Sequence, residues 1–434
     1  MEPNLVLIIC IVILFGLLLA GSPIFVALGT ASILGIFLLG GLSAVYRLPS
    51  IIFSHLDNFI LLSVPLFLLM GQVLFFSGIG ADLYKSGNKW FSGVRGGLAM
   101  ASTISCAVFG AMCGVSLAAA AAIGSFAIPE MKKMNYDPGF AAGTVAAAGA
   151  LAMLIPPSLL FILYGAIADV SVGKLFIGGI VPGIILALMM CGYEWIAVKR
   201  NPLMAPMIKE NVTWKDKFSS LKRLWPALIL IFLVLGTIYL GVCTPTEAGA
   251  IGSMGAIFIS VFIYRSLTWE KFRLIFNFTT RTTASIMLIF SCGVLFSVLL
   301  TMLRLPDKLS EFAIASGLPG WGIIIMLCCM LLILGMFVDG GTAVIVTTPI
   351  VLPTIISAGY DPLWWGVILI LNLEMAVITP PVGLNLYAIK SIANDIAMKD
   401  IIRGSLPFVI VEMLCLALFI IFKDLALWLP RMMG

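Results

Sequence analysis

The residues of this chain best suited to chemistry surround two proline pairs, Pro156-Pro157 and Pro380-Pro381. Each pair sits inside an apolar run, Ala150–Tyr164 (ALAMLIPPSLLFILY) and Glu374–Ala388 (EMAVITPPVGLNLYA). Proline removes a backbone donor and clashes with the carbonyl four residues back. Within a membrane-length helix of ~20 residues at ~1.5 Å rise, two in succession open the helix at mid-depth. Lipid does not tolerate free N–H and C=O groups, so an opened helix belongs where protein, water or a bound ion satisfies them. Two chemistries follow. Carbonyl and hydroxyl oxygens at the C-terminal end of a half-helix can hold a hard cation, and N–H groups at an N-terminal end can receive an anion. One such pair alone could be a packed kink; two, in matching places of two halves, favour a functional site.

Composition sets the elements that position these breaks. A mean hydropathy of +1.17, with 62% hydrophobic and 10% charged residues, excludes a soluble domain and indicates a polytopic helical membrane protein. The apolar runs are continuous rather than alternating, which argues against a barrel. The start, MEPNLVLIICIVILFGLLLAGSP, has no Lys or Arg before its apolar run and reads as a retained first span, not a cleaved signal. The net charge of +5 is carried by loop lysines and arginines, so no nucleic-acid surface is implied. Nine cysteines (Cys10, Cys106, Cys113, Cys191, Cys243, Cys292, Cys328, Cys329, Cys415) form no CxxC pair and read as small buried hydrophobes. The single histidine, His55, is placed in a short loop and is too solitary for a metal site. Neither a cofactor nor a transition metal is expected.

A shift of 222 to 224 positions superposes rare residues of the two halves. Pro23 meets Pro245, Pro129 meets Pro353, and Leu160 meets Leu384; Tyr136-Asp137-Pro138 meets Tyr360-Asp361-Pro362, and the proline pairs meet each other. The chain therefore reads as a duplication, with a first repeat over 1–200, a linker over 201–223 and a second repeat over 224–434. Spans are expected near 5–20, 24–43, 57–78 and 175–197, then near 224–242, 245–264, 279–301 and 405–422. Broken spans occupy about 140–165 and 364–388.

Longer apolar stretches at about 96–128 and 321–353 are each either one tilted span or a re-entrant hairpin, and charge placement decides. Lys85, Lys89, Arg95, Lys132 and Lys133 put both flanks of the first on the cytoplasmic side. Arg304 and Lys308, offset by Asp307 and Glu311, and then Asp361 put both flanks of the second outside. The linker (Lys199, Arg200, Lys209, Lys215, Lys217, Lys222, Arg223) and two later loops (Arg265, Lys271, Arg273; Lys390, Lys399, Arg403) read as cytoplasmic. Both stretches then become hairpins, leaving five full crossings per half. An odd number inverts the second half, with both termini outside. Inverted repeats with helices broken near the midplane characterise secondary transporters.

At this level the chain resembles the large membrane subunit of tripartite ATP-independent periplasmic (TRAP) transporters, the DctM-like family, over nearly its whole length. The residues that carry the resemblance are Ile155-Pro156-Pro157-Ser158 with Tyr164-Gly165, Thr244-Pro245-Thr246-Glu247-Ala248, and Ile378-Thr379-Pro380-Pro381-Val382-Gly383. The second hairpin tip, Gly335-Met336-Phe337-Val338-Asp339, fits as well. The first, Phe109-Gly110-Ala111-Met112-Cys113-Gly114-Val115-Ser116, departs from the family's Ser-Gly-Ser-Ser type by Cys113 and Val115. The resemblance implies Na⁺-coupled uptake of an organic-acid anion of the sialic acid or C4-dicarboxylate class by an elevator motion in the bacterial inner membrane. It also implies a soluble periplasmic substrate-binding protein (DctP-like). A small four-helix membrane subunit (DctQ-like) is implied too, as a separate chain, because the two repeats use up this one.

One sodium site is placed between Cys113, Gly114 and Ser116 and the break at Leu154, Ile155, Pro156 and Ser158. A second is placed between Asp339, Gly340 and Thr342 and the break at Thr379 and Pro380. The substrate carboxylate is placed between the tips, at Ser116, Pro157, Ser158, Gly341, Thr342, Pro381, Gly383 and Asn385. Asp339 suits either an ion ligand or a helix cap, and Glu374 either an ion or proton site or a stabilising pair. Glu247 reads as a first-turn cap. Arg281 reads as a snorkelling residue at the cytoplasmic end of a span, and Trp321, Trp364 and Trp365 as interface anchors. The run Ala118–Ala122 reads as a close-packing face. A stand-alone sodium-coupled symporter is the nearest alternative. No GxxxxGKS/T, HExxH or GxSxG occurs, which disfavours direct ATP drive and an intramembrane enzyme. A passive channel fits paired re-entrant tips less well than a closed substrate site.

Overall fold

A computed structural model of the protein describes residues 2–207, 212–315, 317 and 319–432. Lys209, one of the linker's basic residues, lies outside them. Among the described residues the chain is helical with no strand, and nine helices are long and apolar enough to cross a membrane by length and composition. The all-α polytopic class expected from composition is the one observed.

The first half opens with α1 (Pro3–Leu19) packed on α2 (Ile24–Val45), then α3 (Leu48–Leu56), α4 (Ser63–Ser77) and α5 (Ile79–Trp90). Helices α6 (Gly97–Cys113) and α7 (Ser116–Lys133) pack on each other across a turn made by Gly114 and Val115. The first broken span consists of α8 (Pro138–Leu154) and α9 (Leu159–Ala168), and α10 (Val172–Arg200) follows. A short linker helix, α11 (Trp214–Leu221), leads to the second half. There α12 (Trp225–Ile231) runs through a π-helical turn into α13 (Thr237–Tyr239), followed by α14 (Pro245–Phe258), α15 (Trp269–Met302) and α16 (Leu305–Ala315). Helices α17 (Gly320–Gly335) and α18 (Gly340–Ser357) pair as α6 and α7 do. The second broken span is α19 (Pro362–Val377) with α20 (Leu384–Ile392), and α21 (Met398–Ile421) and α22 (Asp424–Arg431) end the chain.

The repeated Tyr-Asp-Pro triplets are helix starts. Asp137 accepts a hydrogen bond from the Phe140 N–H at 2.8 Å, and Asp361 one from the Leu363 N–H at 2.7 Å. Each aspartate caps a helix whose first residue is a proline, where the missing donor costs nothing. The two helices so started form the centre of the molecule. Every residue from Gly139 to Leu154 and from Leu363 to Val377 is buried. A helix apolar on all faces must be enclosed by others. Accordingly α8 packs against α6, α7, α10, α20 and α21, and α19 against α10, α17, α18 and α21; the two also touch each other. The Ala118–Ala122 run serves this packing: a Cβ on Gly149 of α8 would lie 2.5 Å from the Ala120 methyl.

The structure departs from sequence expectation at the connections. Regions read as loops contain α3, α5, α11, α16 and α22. His55 lies in the last turn of α3, its Nδ1 2.8 Å from the Ile51 carbonyl oxygen. Trp364 and Trp365 are buried rather than anchored at an interface, and the Trp364 indole donates to the Phe419 carbonyl at 3.1 Å. Trp321 is exposed, as an anchor requires. Helix α15 begins at Trp269, ten residues earlier than the 279 start expected, so Arg281 lies twelve residues into a helix of 34, longer than a bilayer needs. Amphipathic entry turns such as Trp269–Phe278 have too little continuous hydropathy to be read as part of a span.

Candidate functional site

The first break is tied to the first hairpin tip through backbone. Gly114 turns the chain in the left-handed region, with φ at 65°. Its carbonyl accepts a hydrogen bond from the Leu159 N–H at 3.3 Å. Ser158 caps α9, accepting from the Phe161 N–H at 3.4 Å while its hydroxyl donates to the Met153 carbonyl. The Cys113 thiol points to the Val115 carbonyl at 3.6 Å. Cys113, Gly114, Ser116, Leu154, Pro156, Pro157 and Ser158 are buried, and Ile155 is half-buried. Gly71 of α4 closes over the same tip: a Cβ there would lie 3.1 Å from that of Cys113.

The second tip repeats the connection. The Val382 N–H donates to the Met336 carbonyl at 3.3 Å, joining the second break to the end of α17. Asp339 caps α18: Oδ1 accepts from the Thr342 N–H at 3.1 Å, and Oδ2 from the Thr342 hydroxyl. Thr379 donates to the Met375 carbonyl at 2.5 Å, and Gly383 turns into α20 with φ at 60°. Thus Asp339, Gly340, Gly341 and Thr342 share one tip, and Thr379, Pro380, Pro381 and Gly383 share one break. Of the two roles open to Asp339, the cap is formed.

The halves also exchange contacts. Helix α18 packs on α9, and α20 packs on α7. Gly340 and Gly341 face Leu160 and Leu163 of the first broken span, so the second tip points at the first break. Asn385 of α20 is fully buried and donates to the Ala146 carbonyl of α8 at 3.1 Å, which gives it a bridging place between the halves. At the ends of the same elements Lys132 pairs with Asp395 and holds that carboxyl below its usual range. The two tips differ in access. The first is enclosed, whereas Phe337 is 64% exposed and Pro381 also faces out. Each tip is thus bonded to one break, the first behind a closed surface and the second on an open one.

Three buried carboxyls need separate mention. Glu194 of α10 accepts from the Thr103 hydroxyl of α6 at 2.5 Å. Glu374 and Glu412 are buried with no partner in good hydrogen-bond geometry among the described residues, and the Leu154 backbone at the first break lies within reach of Glu374. The stabilising pair allowed for Glu374 is therefore not formed; another acid, Glu412, is within electrostatic reach instead. Sequence reasoning passed over Glu194 and Glu412, although an acid within an apolar span is itself a signal. At Glu247 the expected cap is present: its Oε2 accepts from the Thr244 N–H and hydroxyl, both at 2.8 Å, and Thr244 reciprocates to the Glu247 N–H. Glu247→Ala should cost about 1 kcal/mol, seen as a lower thermal midpoint with the uptake rate unchanged. A large loss of uptake would mean that this box does more than cap.

Two apolar helices broken at proline pairs, each met by the tip of a helical hairpin, define the fold. The chain is similar to the YdaH transporter of Alcanivorax borkumensis with a TM-score of 0.61 and 12% identity, over 88% of this chain and 89% of that one. Sequence then gives the family. A family model described as "Tripartite ATP-independent periplasmic transporter, DctM component" matches residues 11–425, and the chain belongs to that family. Among its relatives, the C4-dicarboxylate TRAP transporter large permease protein DctM of Pseudomonas aeruginosa is 33% identical over 88% of this chain and 89% of that protein. The sialic acid TRAP transporter large permease protein SiaM of Vibrio cholerae is 30% identical over 96% of each. The resemblance expected from the motifs is thus the family found, and the chain is a multi-pass transport permease rather than an enzyme.

Proposed function

We propose that this chain is the large permease subunit of a sodium-coupled TRAP transporter. It imports an organic-acid anion, of the C4-dicarboxylate or sialic acid class, handed over by a periplasmic binding protein. The observation that carries the reading is the pair of tip-to-break hydrogen bonds, Leu159 N–H to Gly114 O and Val382 N–H to Met336 O. Each holds a hairpin tip against an opened helix, where carbonyls have lost their intrahelical donors. Na⁺ is a hard cation that such oxygens satisfy, and it would sit at Cys113, Gly114, Ser116 and Leu154–Ser158, and at Asp339, Gly340, Thr342, Thr379 and Pro380. Its charge would then favour an anion's carboxylate against nearby N–H groups at Ser116, Ser158, Gly341 and Gly383.

The orientation follows from basic loops on the cytoplasmic side of the inner membrane, with the repeats inverted and both termini periplasmic. The hairpins and broken helices move against the remaining helices as an elevator. A separate DctQ-like small subunit completes the membrane part. The second reading, a stand-alone symporter, rests on the completeness of the two tip-and-break pairs within this single chain.

Labelled succinate and sialate uptake into proteoliposomes containing this chain and its small subunit tests the proposal. Uptake is expected only with an inward Na⁺ gradient and the cognate binding protein. Uptake without the binding protein selects the stand-alone symporter, and uptake indifferent to Na⁺ removes the sodium sites.

A further inference from the structure

Helices α4 and α15 enclose a groove of about 780 Å³ that none of the assigned tip residues lines. Its polar lining is Gln72 from α4 and Asn277, Arg281, Thr282 and Ser285 from α15. The α15 residues recur at three- and four-residue intervals and so fall on one face. Arg281 is twelve residues into α15, about 18 Å along its axis at ~1.5 Å per residue. It makes no ion pair or hydrogen bond among the described residues, and the groove lining contains no acid. Arg281 is exposed along the groove, so its unmatched charge is open to an anion or a counter-charge there.

The neighbours suit a carboxylate. A guanidinium presents a planar fork that grips a carboxylate with two parallel bonds. Asn277 and Ser285 lie one turn to either side of Arg281 and add neutral donors, while Phe76 and Phe278 supply apolar wall for a carbon skeleton. Helix α4 also borders the candidate site. Gln72 follows Gly71, whose added Cβ would lie 3.3 Å from the Cys113 carbonyl oxygen at the first tip.

We propose that this groove is a second docking place for the carboxylate of the transported anion, on the stationary helices beside the first hairpin, with Arg281 as its charged ligand. The proposal rests on the reading of this chain as an organic-anion permease. It gives the anion a partner on the α4–α15 side as it leaves or approaches the tips, and makes the permease itself selective for negative charge.

The test compares wild type, Arg281→Gln and Arg281→Lys with the small subunit and saturating loaded binding protein. It uses phosphatidylcholine vesicles with and without phosphatidylglycerol. Arg281→Gln should lower the succinate or sialate uptake rate roughly 10- to 100-fold, the scale of a lost charge-assisted hydrogen bond. Arg281→Lys should recover part of it, and half-saturating Na⁺ should not move. The purified wild type should gain thermal stability from the transported anion, and Arg281→Gln should gain none. Ser285→Ala, which keeps the charge, should show a smaller defect and covers the case in which Arg281→Gln fails to fold. Wild-type rates in Arg281→Gln overturn the subsite alone. A defect confined to phosphatidylglycerol vesicles also overturns it, by assigning the groove to a lipid headgroup. An inactive wild type overturns the underlying reading instead.

Discussion

Gly404→Val should yield no folded permease, and Gly404→Ala should lower the thermal midpoint sharply. Gly404 of α21 lies against the first turns of α8. A Cβ at position 404 would sit 1.9 Å from the Gly139 carbonyl oxygen and 3.3 Å from the Gly143 Cα. The reverse holds too: a Cβ at position 143 would sit 2.1 Å from the Gly404 carbonyl carbon. Every atom met is backbone, so no rotamer change relieves the clash and the two helices must separate. Membrane helices have little hydrophobic drive to stay together and depend on such close approach. Ordinary overpacking costs about 1–3 kcal/mol. Parting backbones at the hub of the molecule should exceed that range and approach a typical total stability of about 5–15 kcal/mol. Gly192→Ala is the control, since nothing lies within 4 Å of its added Cβ. Size-exclusion profiles and thermal midpoints in detergent decide. A Gly404→Val protein with the wild-type midpoint would mean that α8 and α21 do not meet in this way.

That contact also shows what the sequence exposes and what it hides. The helices, both tips and both breaks are legible because proline, capping aspartate and long apolar runs act locally, within a few residues of the structure they cause. Pro156-Pro157 ends α8 at Leu154, and Asp137 starts it, without help from elsewhere. The Gly139–Gly143–Gly404 approach depends on residues more than 250 positions apart, and a glycine in an apolar span carries no mark of its partner. Trp364 and Trp365 fail for the same reason. Trp suits an interface by composition, but α19 is enclosed on all sides and its tryptophans go inward with it. The start of α15 is hidden because hydropathy fades in its first turns, ahead of Arg281. Asp339 lies between these cases: the motif shows an acid at a tip, while its use as a cap becomes visible only when Thr342 is seen to return two hydrogen bonds.

Gly114→Ala should leave a folded protein that has lost most of the sodium-driven uptake proposed for it. Two effects combine at this residue. Its φ of 65° lies in the left-handed region, where a side chain costs about 1–2 kcal/mol. An added Cβ would also lie 2.3 Å from the Pro157 carbonyl oxygen, so the tip must retreat from the break. Retreat disrupts the Leu159 N–H to Gly114 O bond and spreads the oxygens proposed to hold one sodium ion. The tip is the end of a hairpin rather than part of the α8–α19 hub, so the loss falls on the site before it falls on the fold. Together the terms predict a fall in uptake of at least ~10-fold, since each 1.4 kcal/mol is about a factor of ten, and a rise in half-saturating Na⁺. Gly93→Ala separates the causes: Gly93 has φ at 79° but nothing within 4 Å of an added Cβ, so it carries the strain without the clash. If Gly114→Ala and Gly93→Ala lose stability equally and both keep the wild-type Na⁺ response, backbone strain is the whole effect and the first tip does not coordinate the ion. If only Gly114→Ala shifts the Na⁺ response, coordination at the first break depends on how closely the two backbones approach, which is a distance that only glycine at 114 permits.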